Sequence, residues 1–176
     1  MSPDVDRLRS LVRDISDFPR PGVGFKDLTP LLADPDAYRA VVDWMVDEVA
    51  SLEPDKVAGV EARGFLFAAP LALRMGLGLV PVRKAGKLPW QVEAESYSLE
   101  YGSDLLEVHV DGVKDGERVV VVDDVLATGG TARAGAILVE RLGGKVAAVV
   151  FALELAVLGG RDRLSGWDVR SLVVYQ

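Results

Sequence analysis

The sequence contains no cysteine, no asparagine and a single histidine, His109. Without thiols there is no disulfide framework, no thiolate metal site and no cysteine nucleophile. One histidine leaves multi-histidine metal sites and histidine-dependent triads without their parts. Basic residues are outnumbered, 20 against 27 acids, for a net charge of −7. That balance argues against a nucleic-acid binder held by a broad basic surface, though local basic clusters could still hold a small anion. Long uninterrupted apolar runs are missing too. The greasiest window, residues 64–82, is split by Arg74 and broken by Pro70 and Pro81, so it reads as a buried helix feeding a buried strand, not a membrane span. Residues 1–16 mix acids and arginines with no apolar core of a leader; no targeting signal and a cytoplasmic location are expected. Neither a Walker A loop nor a G-x-G-x-x-G fingerprint occurs.

What is present is an ordinary globular composition. The chain has 176 residues, 49% hydrophobic and 27% charged, enough for one domain with a sizeable core. Ser2 and Pro3 suit a helix start, and Leu8, Leu11, Val12 and Ile15 share one helical face. Phe18-Pro19-Arg20-Pro21-Gly22 ends that helix, and residues 22–32 read as irregular. A second helix starts near Asp34-Pro35 and buries Tyr38, Val41, Val42, Met45, Val46 and Val49. Strands are then predicted at 56–60, 77–83, 119–122, 146–153 and 169–175, with helices at 65–75 and 131–142. Alternation of this kind implies an α/β fold, a mostly parallel twisted sheet flanked by helices on both faces. Residues 84–110 differ: they are polar, with alternation at 96–99 and 105–110, and read as a long flexible excursion followed by antiparallel strands. His109 reads as a strand-face residue, 111–117 as a turn, and 159–166 as a surface connection without function.

Chemistry concentrates in Val119-Val-Val-Val-Asp123-Asp124-Val125-Leu126-Ala127-Thr128-Gly129-Gly130-Thr131. A buried strand runs through two acids into a small glycine-rich turn and then a helix. Small residues let backbone N–H groups close on a phosphate, hydroxyls add donors, and the helix start adds partial positive charge. Acids beside such a cradle suit a phosphate that hangs from a sugar whose hydroxyls need acceptors, which points to a phosphorylated ribose. The plainer alternative is a tight strand-to-helix turn with two capping acids.

Residues 119–131 resemble the ribosyl-phosphate-binding signature of the type I phosphoribosyltransferases. Phe18-Pro-Arg-Pro-Gly-Val-Gly-Phe-Lys-Asp27, Glu61-Ala-Arg-Gly-Phe-Leu-Phe67, Val82-Arg-Lys-Ala-Gly-Lys-Leu-Pro89, Ser96-Tyr-Ser-Leu-Glu-Tyr-Gly102 and Gly143-Gly144 extend the resemblance over nearly the whole chain. The segments at 82–89 and 96–102 are similar to the adenine-using branch. The resemblance implies a single domain over 1–176, with an N-terminal helix and base-binding hood at 1–33 and a flexible catalytic loop with antiparallel strands at 84–110. It implies purine salvage: transfer of a 5-phosphoribosyl group from 5-phosphoribosyl 1-pyrophosphate to adenine, with Mg²⁺ carried by the substrate. A homodimer is expected, with no nucleic-acid or membrane partner.

The same resemblance assigns residues. Ala127, Thr128, Gly129, Gly130 and Thr131 hold the 5′-phosphate, and Asp123 and Asp124 accept from the ribose hydroxyls near the charge at C1. Ala62, Arg63, Arg83, Lys84 and Lys87 take pyrophosphate, with a cis peptide expected at Glu61–Ala62. The three cations Arg83, Lys84 and Lys87 repel one another unless an anion visits. Glu100 manages the base proton and Tyr101 closes the lid. Gly24, Phe25, Lys26 and Val125 read adenine, although the family often carries a bulkier residue at Gly24 and arginine at Lys26. Another purine base, or a non-catalytic sensor of ribosyl phosphate, remains the alternative.

Overall fold

The computed structural model describes residues 3–98 and 103–176. The chain divides into two compact units, residues 1–44 and 45–176. In the first, helix α1 (Val5–Ser10) starts at Asp4, whose carboxylate accepts from the Arg7 N–H at 3.0 Å. This helix is shorter than expected. Leu11 is already its C-cap, and Ile15 lies in strand β1 (Arg13–Ile15), paired antiparallel with β2 (Phe25–Asp27). Ion pairs across this ladder, Arg13 to Asp27 at 3.1 Å and Lys26 to Asp14, favour the extended chain over another helical turn. Residues 22–32 are therefore not irregular: they supply β2 and most of a short helix α2 (Thr29–Ala33). Helix α3 (Pro35–Ala50) begins where Asp34 accepts from the N–H groups of Asp36 and Ala37, at 3.0 and 2.8 Å.

The second unit is built on a seven-stranded sheet. Its strands are β3 (Lys56–Val60), β4 (Gly78–Lys84), β5 (Val92–Ser98), β6 (Ser103–His109), β7 (Arg118–Leu126), β8 (Lys145–Leu155) and β9 (Val169–Tyr175), in the order β5-β6-β4-β3-β7-β8-β9. From β4 to β9 neighbours are parallel; β6 and β5 add an antiparallel edge. The expected antiparallel strands are present, and each runs seven residues, longer than the alternation at 96–99 suggested. Their polar residues have partners: Arg141 donates to the Ala94 carbonyl at 2.8 Å and pairs with Glu95 at 2.5 Å. A charged side chain set on an edge strand also discourages pairing with other chains.

Helices α4 (Gly64–Met75) and α5 (Gly130–Arg141) cover opposite faces of the sheet. Strand alternation makes this legible. A Cβ on Gly59 would meet Ala68 and Phe65 of α4, whereas Gly135 of α5 sits over Val60 and Val121. The four valines 119–122 are fully buried, as a strand covered on both sides requires. Phe151, Leu138 and Val139 close the α5 side of the core. Among the described residues no helix is long and apolar enough to cross a membrane.

Gly59 sets how closely α4 sits on the sheet, since a Cβ there would lie 2.7 Å from the Ala68 Cβ. Overpacking of this kind costs about 1–3 kcal/mol. Gly59→Ala should lower the unfolding free energy by that amount in urea titration. Unchanged stability would contradict the close approach.

Candidate active site

In the sheet order, β3 has β4 on one side and β7 on the other. The chain leaves β3 into α4 and leaves β7 into α5, on opposite faces. The loops after these two neighbouring strands therefore part and leave a crevice beyond their C-terminal ends, where open α/β sheets bind ligands. The Glu61-to-Gly64 loop and the Asp123-to-Thr131 segment both lie at this position.

β7 continues through Asp123 and Asp124, so both acids belong to the strand, and they are only 7% and 5% exposed. Adjacent strand residues point to opposite faces, and the pair serves both loops. Thr131, in the first turn of α5, directs its hydroxyl at Asp123 Oδ2 at 3.4 Å. Arg63, the N-cap of α4, places Nε 2.8 Å from Asp124 Oδ2. The Asp124 N–H donates to Asp123 Oδ1 at 2.9 Å. Burial, followed by the charge of Asp124, holds the Asp123 carboxyl well above the ordinary carboxylate range, against the opposing pull of the Asp124 N–H and Arg63. Gly64 permits the crowding: a Cβ there would come within 2.8 Å of the Val122 carbonyl and 3.0 Å of Asp123 Oδ1.

The Glu61–Ala62 peptide is cis, as expected. The basic cluster, however, is not left waiting for a visiting anion. Glu61 gathers it: the carboxylate accepts from Arg83 Nε at 3.2 Å, from the Lys84 N–H at 2.9 Å and from Lys87. Lys84 turns its ammonium to Asp104 at 3.2 Å, and Asp104 also accepts from the Tyr97 hydroxyl at 3.1 Å. Burial opposes the charge on Glu61, but hydrogen bonds from Lys87, Lys84 and Arg83 outweigh it and bring the carboxyl down to about 2. Burial first, then the Asp104 carboxylate, pushes the Tyr97 hydroxyl up to about 12. Two resident carboxylates thus hold the three cations, a role that charge counting along the chain could not assign.

Ala127, Thr128 and Gly129 form the turn that joins β7 to α5. Gly129 takes φ +79° as the N-cap, and no side chain caps this helix start. Its carbonyl accepts from the Arg133 N–H at 3.0 Å. The turn therefore combines a glycine in the left-handed region with the uncapped N–H groups of α5, the ingredients of an anion cradle.

The remaining candidates are distributed as follows. Gly24, Phe25 and Lys26 belong to the first unit, where the rings of Phe25 and Phe18 meet edge to face at 5.1 Å; Val125 belongs to the second, in β7. Glu100 and Tyr101 lie outside the described residues. His109 ends β6, half-buried, with its ring 6.3 Å from that of Trp90. Among the described residues no group of three or more His, Asp or Glu is arranged to hold a metal ion. Sequence reasoning gave no role to Glu61, Asp104 or Gly64. Only the position of Glu61 and Gly64 around Arg63 hinted at one.

Two buried acids leading into a glycine turn at a helix start, at the switch point of a mostly parallel sheet, define an open α/β protein with its candidate site at the strands' C-terminal ends. Comparison with known proteins narrows the class. The family profile "Phosphoribosyl transferase domain" matches residues 28–174. The adenine phosphoribosyltransferase of Desulfitobacterium hafniense (strain Y51) is 54% identical, over 93% of this chain and 95% of that protein. The crystal structure of adenine phosphoribosyltransferase from Thermoanaerobacter pseudethanolicus superimposes with a TM-score of 0.95 at 48% identity, covering 97% of this chain and 99% of that one. The Saccharomyces cerevisiae enzyme, complexed with adenine and an imino-altritol bisphosphate, gives 0.90 at 37% identity, covering 96% and 98%. This chain belongs to the phosphoribosyltransferase family, in its adenine phosphoribosyltransferase branch.

The two unusual carboxyls affect stability in opposite directions. Asp123 holds its proton more tightly folded than unfolded. Its stabilising contribution is full below its ordinary value of 3.8 and is lost as pH rises through the raised one. Glu61 is the reverse: its contribution is present above 4.5 and is lost as pH falls toward 2. At pH 7, Asp123→Asn should raise the urea midpoint and Glu61→Gln should lower it. Both differences should shrink on acidification. Shifts of the same sign would contradict the assignment.

Proposed function

We propose that this protein transfers the 5-phosphoribosyl group of 5-phosphoribosyl 1-pyrophosphate to adenine, giving AMP and pyrophosphate, a purine-salvage reaction. The observation that carries the reading is the buried Asp123–Asp124 pair at the mouth of the 127–131 turn. A bare phosphate site has no use for two carboxylates, whereas a ribose phosphate offers hydroxyls for them to accept. The same residues sit in a chain about half identical to proteins named for this activity over nearly their whole length.

In this reading the N–H groups and hydroxyls of Ala127, Thr128, Gly129, Gly130 and Thr131 fix the 5′-phosphate. Asp123 and Asp124 hold the ribose hydroxyls beside the positive charge that grows at C1 as the bond to pyrophosphate breaks. The purine nitrogen then forms the new bond to C1, and its proton passes to Glu100. Ala62 through its backbone, with Arg63, Arg83, Lys84 and Lys87, receives the pyrophosphate; Glu61 and Asp104 hold three of these cations until it arrives. Tyr101 excludes water. Gly24, Phe25, Lys26 and Val125 read the adenine edge and cover its faces; Lys26 does so without the planar fork an arginine would offer.

Mg²⁺ suits this site as a companion of the substrate. Among the described residues no three acids or histidines cluster to form a protein cage; Asp123 and Asp124 would offer oxygens, and Mg²⁺ commonly keeps waters and substrate oxygens as ligands. When bound, it neutralises charge on the departing pyrophosphate. The protein works as a homodimer in the cytoplasm, on small molecules, without nucleic acid or membrane.

The test is AMP formation from adenine and 5-phosphoribosyl 1-pyrophosphate, with and without Mg²⁺, beside hypoxanthine, guanine, xanthine and uracil. Mg²⁺-dependent turnover on adenine alone is expected, and Glu100→Gln should lower kcat by about 10²–10⁴-fold, the usual range for a general base. Turnover on another base would overturn the assignment of Gly24 to Lys26 and Val125. Sugar-phosphate binding without turnover would make the protein a sensor.

A further inference from the structure

The connection after β8, which the sequence offered only as surface, is packed behind the phosphate turn. Gly160 is buried. A Cβ on Gly160 would collide with the Ala127 carbonyl oxygen and come within 2.8 Å of a Leu126 methyl; a Cβ on Gly129 would lie 2.6 Å from the Gly160 carbonyl oxygen. Two backbones thus touch with no side chain between them. Gly160 does not have the positive φ of Gly129 or Gly159, so only space demands a glycine there.

The next residue anchors this contact. Arg161 forms a two-point pair with Glu154, Nε to Oε1 at 3.0 Å and a terminal nitrogen to Oε2 at 2.5 Å. Its other terminal nitrogen donates to the Val169 carbonyl at 2.8 Å. Glu154 is 4% exposed and stands in β8 opposite Leu126 of β7, the residue before the turn. Strand ladder, ion pair and glycine contact therefore close a loop of fixed contacts around residues 126–129. The turn needs such a support because no side chain caps α5 from within.

We propose that Gly160 and the Glu154–Arg161 pair are positioning residues that hold the 127–129 turn in its phosphate-binding shape. None of them is among the residues assigned to the ligand. The proposal rests on the functional reading above. Its signature is selective: affinity for every ligand carrying the 5′-phosphate falls, while the adenine site is untouched.

The experiment is calorimetric titration with AMP, with steady-state KM values for both substrates, on the full chain well below its Tm. The variants are Gly160→Ala, Glu154→Gln, their combination, and Val157→Ser as a control on an exposed position of the same connection. Gly160→Ala should weaken AMP binding by at least about tenfold, the usual cost of losing one hydrogen bond to a charged group. It should raise KM for 5-phosphoribosyl 1-pyrophosphate and leave KM for adenine unchanged. Glu154→Gln should act in the same direction and add little in the Gly160→Ala background, because both act through one support. If Gly160→Ala does not fold, Glu154→Gln, which preserves volume, carries the test alone. A folded Gly160→Ala with native AMP affinity, or losses that fall equally on adenine, would overturn the proposal. A wild-type protein that binds no AMP would instead overturn the function on which it rests.

Discussion

Two carboxylates stand next to each other at the end of a strand, both buried, and water is not there to screen them. Charge in such a place must be neutralised, hydrogen-bonded or protonated. The second unit uses all three. Arg63 pairs with Asp124, the Asp124 N–H and the Thr131 hydroxyl reach Asp123, and the Asp123 carboxyl is held toward its neutral form. These partners come from the end of β7 itself and from the starts of α4 and α5, the two helices that leave the sheet at its switch point. Gly64 has no side chain because the loop must come within contact of Asp123 itself. The constraint therefore draws together the strand end, both helix starts and the crevice between them. A fold optimised only for stability would not bury this pair, and such conflict is where function is expected.

Charge in the loops follows a similar logic. Glu61 accepts from Arg83, the Lys84 N–H and Lys87, and Asp104 pairs with the Lys84 ammonium. Repulsion among the cations is thereby relieved in the resting protein. Under the proposed function, pyrophosphate competes with carboxylates for cations already gathered, and does not have to organise them.

Much of this was legible in the sequence, and the reason is locality. The valine run, the Asp pair, the glycine turn and the helix after it are contiguous, so strand, turn and helix start could be read at residues 119–131, although β7 runs on to Leu126, four residues past the predicted end at 122. The parallel strands and both helices of the larger unit followed from apolar runs and glycine stops. What was missed depends on distant partners. Glu61 meets Lys87 26 positions away, and nothing near either residue announces the pairing. Gly160 looked like ordinary loop glycine because its contact, the backbone at Ala127 and Gly129, is invisible to pattern. The first helix was read too long because Leu8, Leu11, Val12 and Ile15 keep helical spacing, while the ion pairs that draw Arg13–Ile15 into a ladder come from residues 26 and 27.

The central claim is that Asp123 and Asp124 are buried to receive sugar hydroxyls beside a phosphate cradle. The most direct measurement is calorimetric titration with ribose 5-phosphate and 2-deoxyribose 5-phosphate, on the native protein and on the variant carrying Asp123→Asn and Asp124→Asn. The account predicts that the native protein binds the ribose compound more tightly and that the variant loses this preference while still binding the phosphate. Equal binding of the two sugars by the native protein, or a preference that survives in the variant, would contradict it.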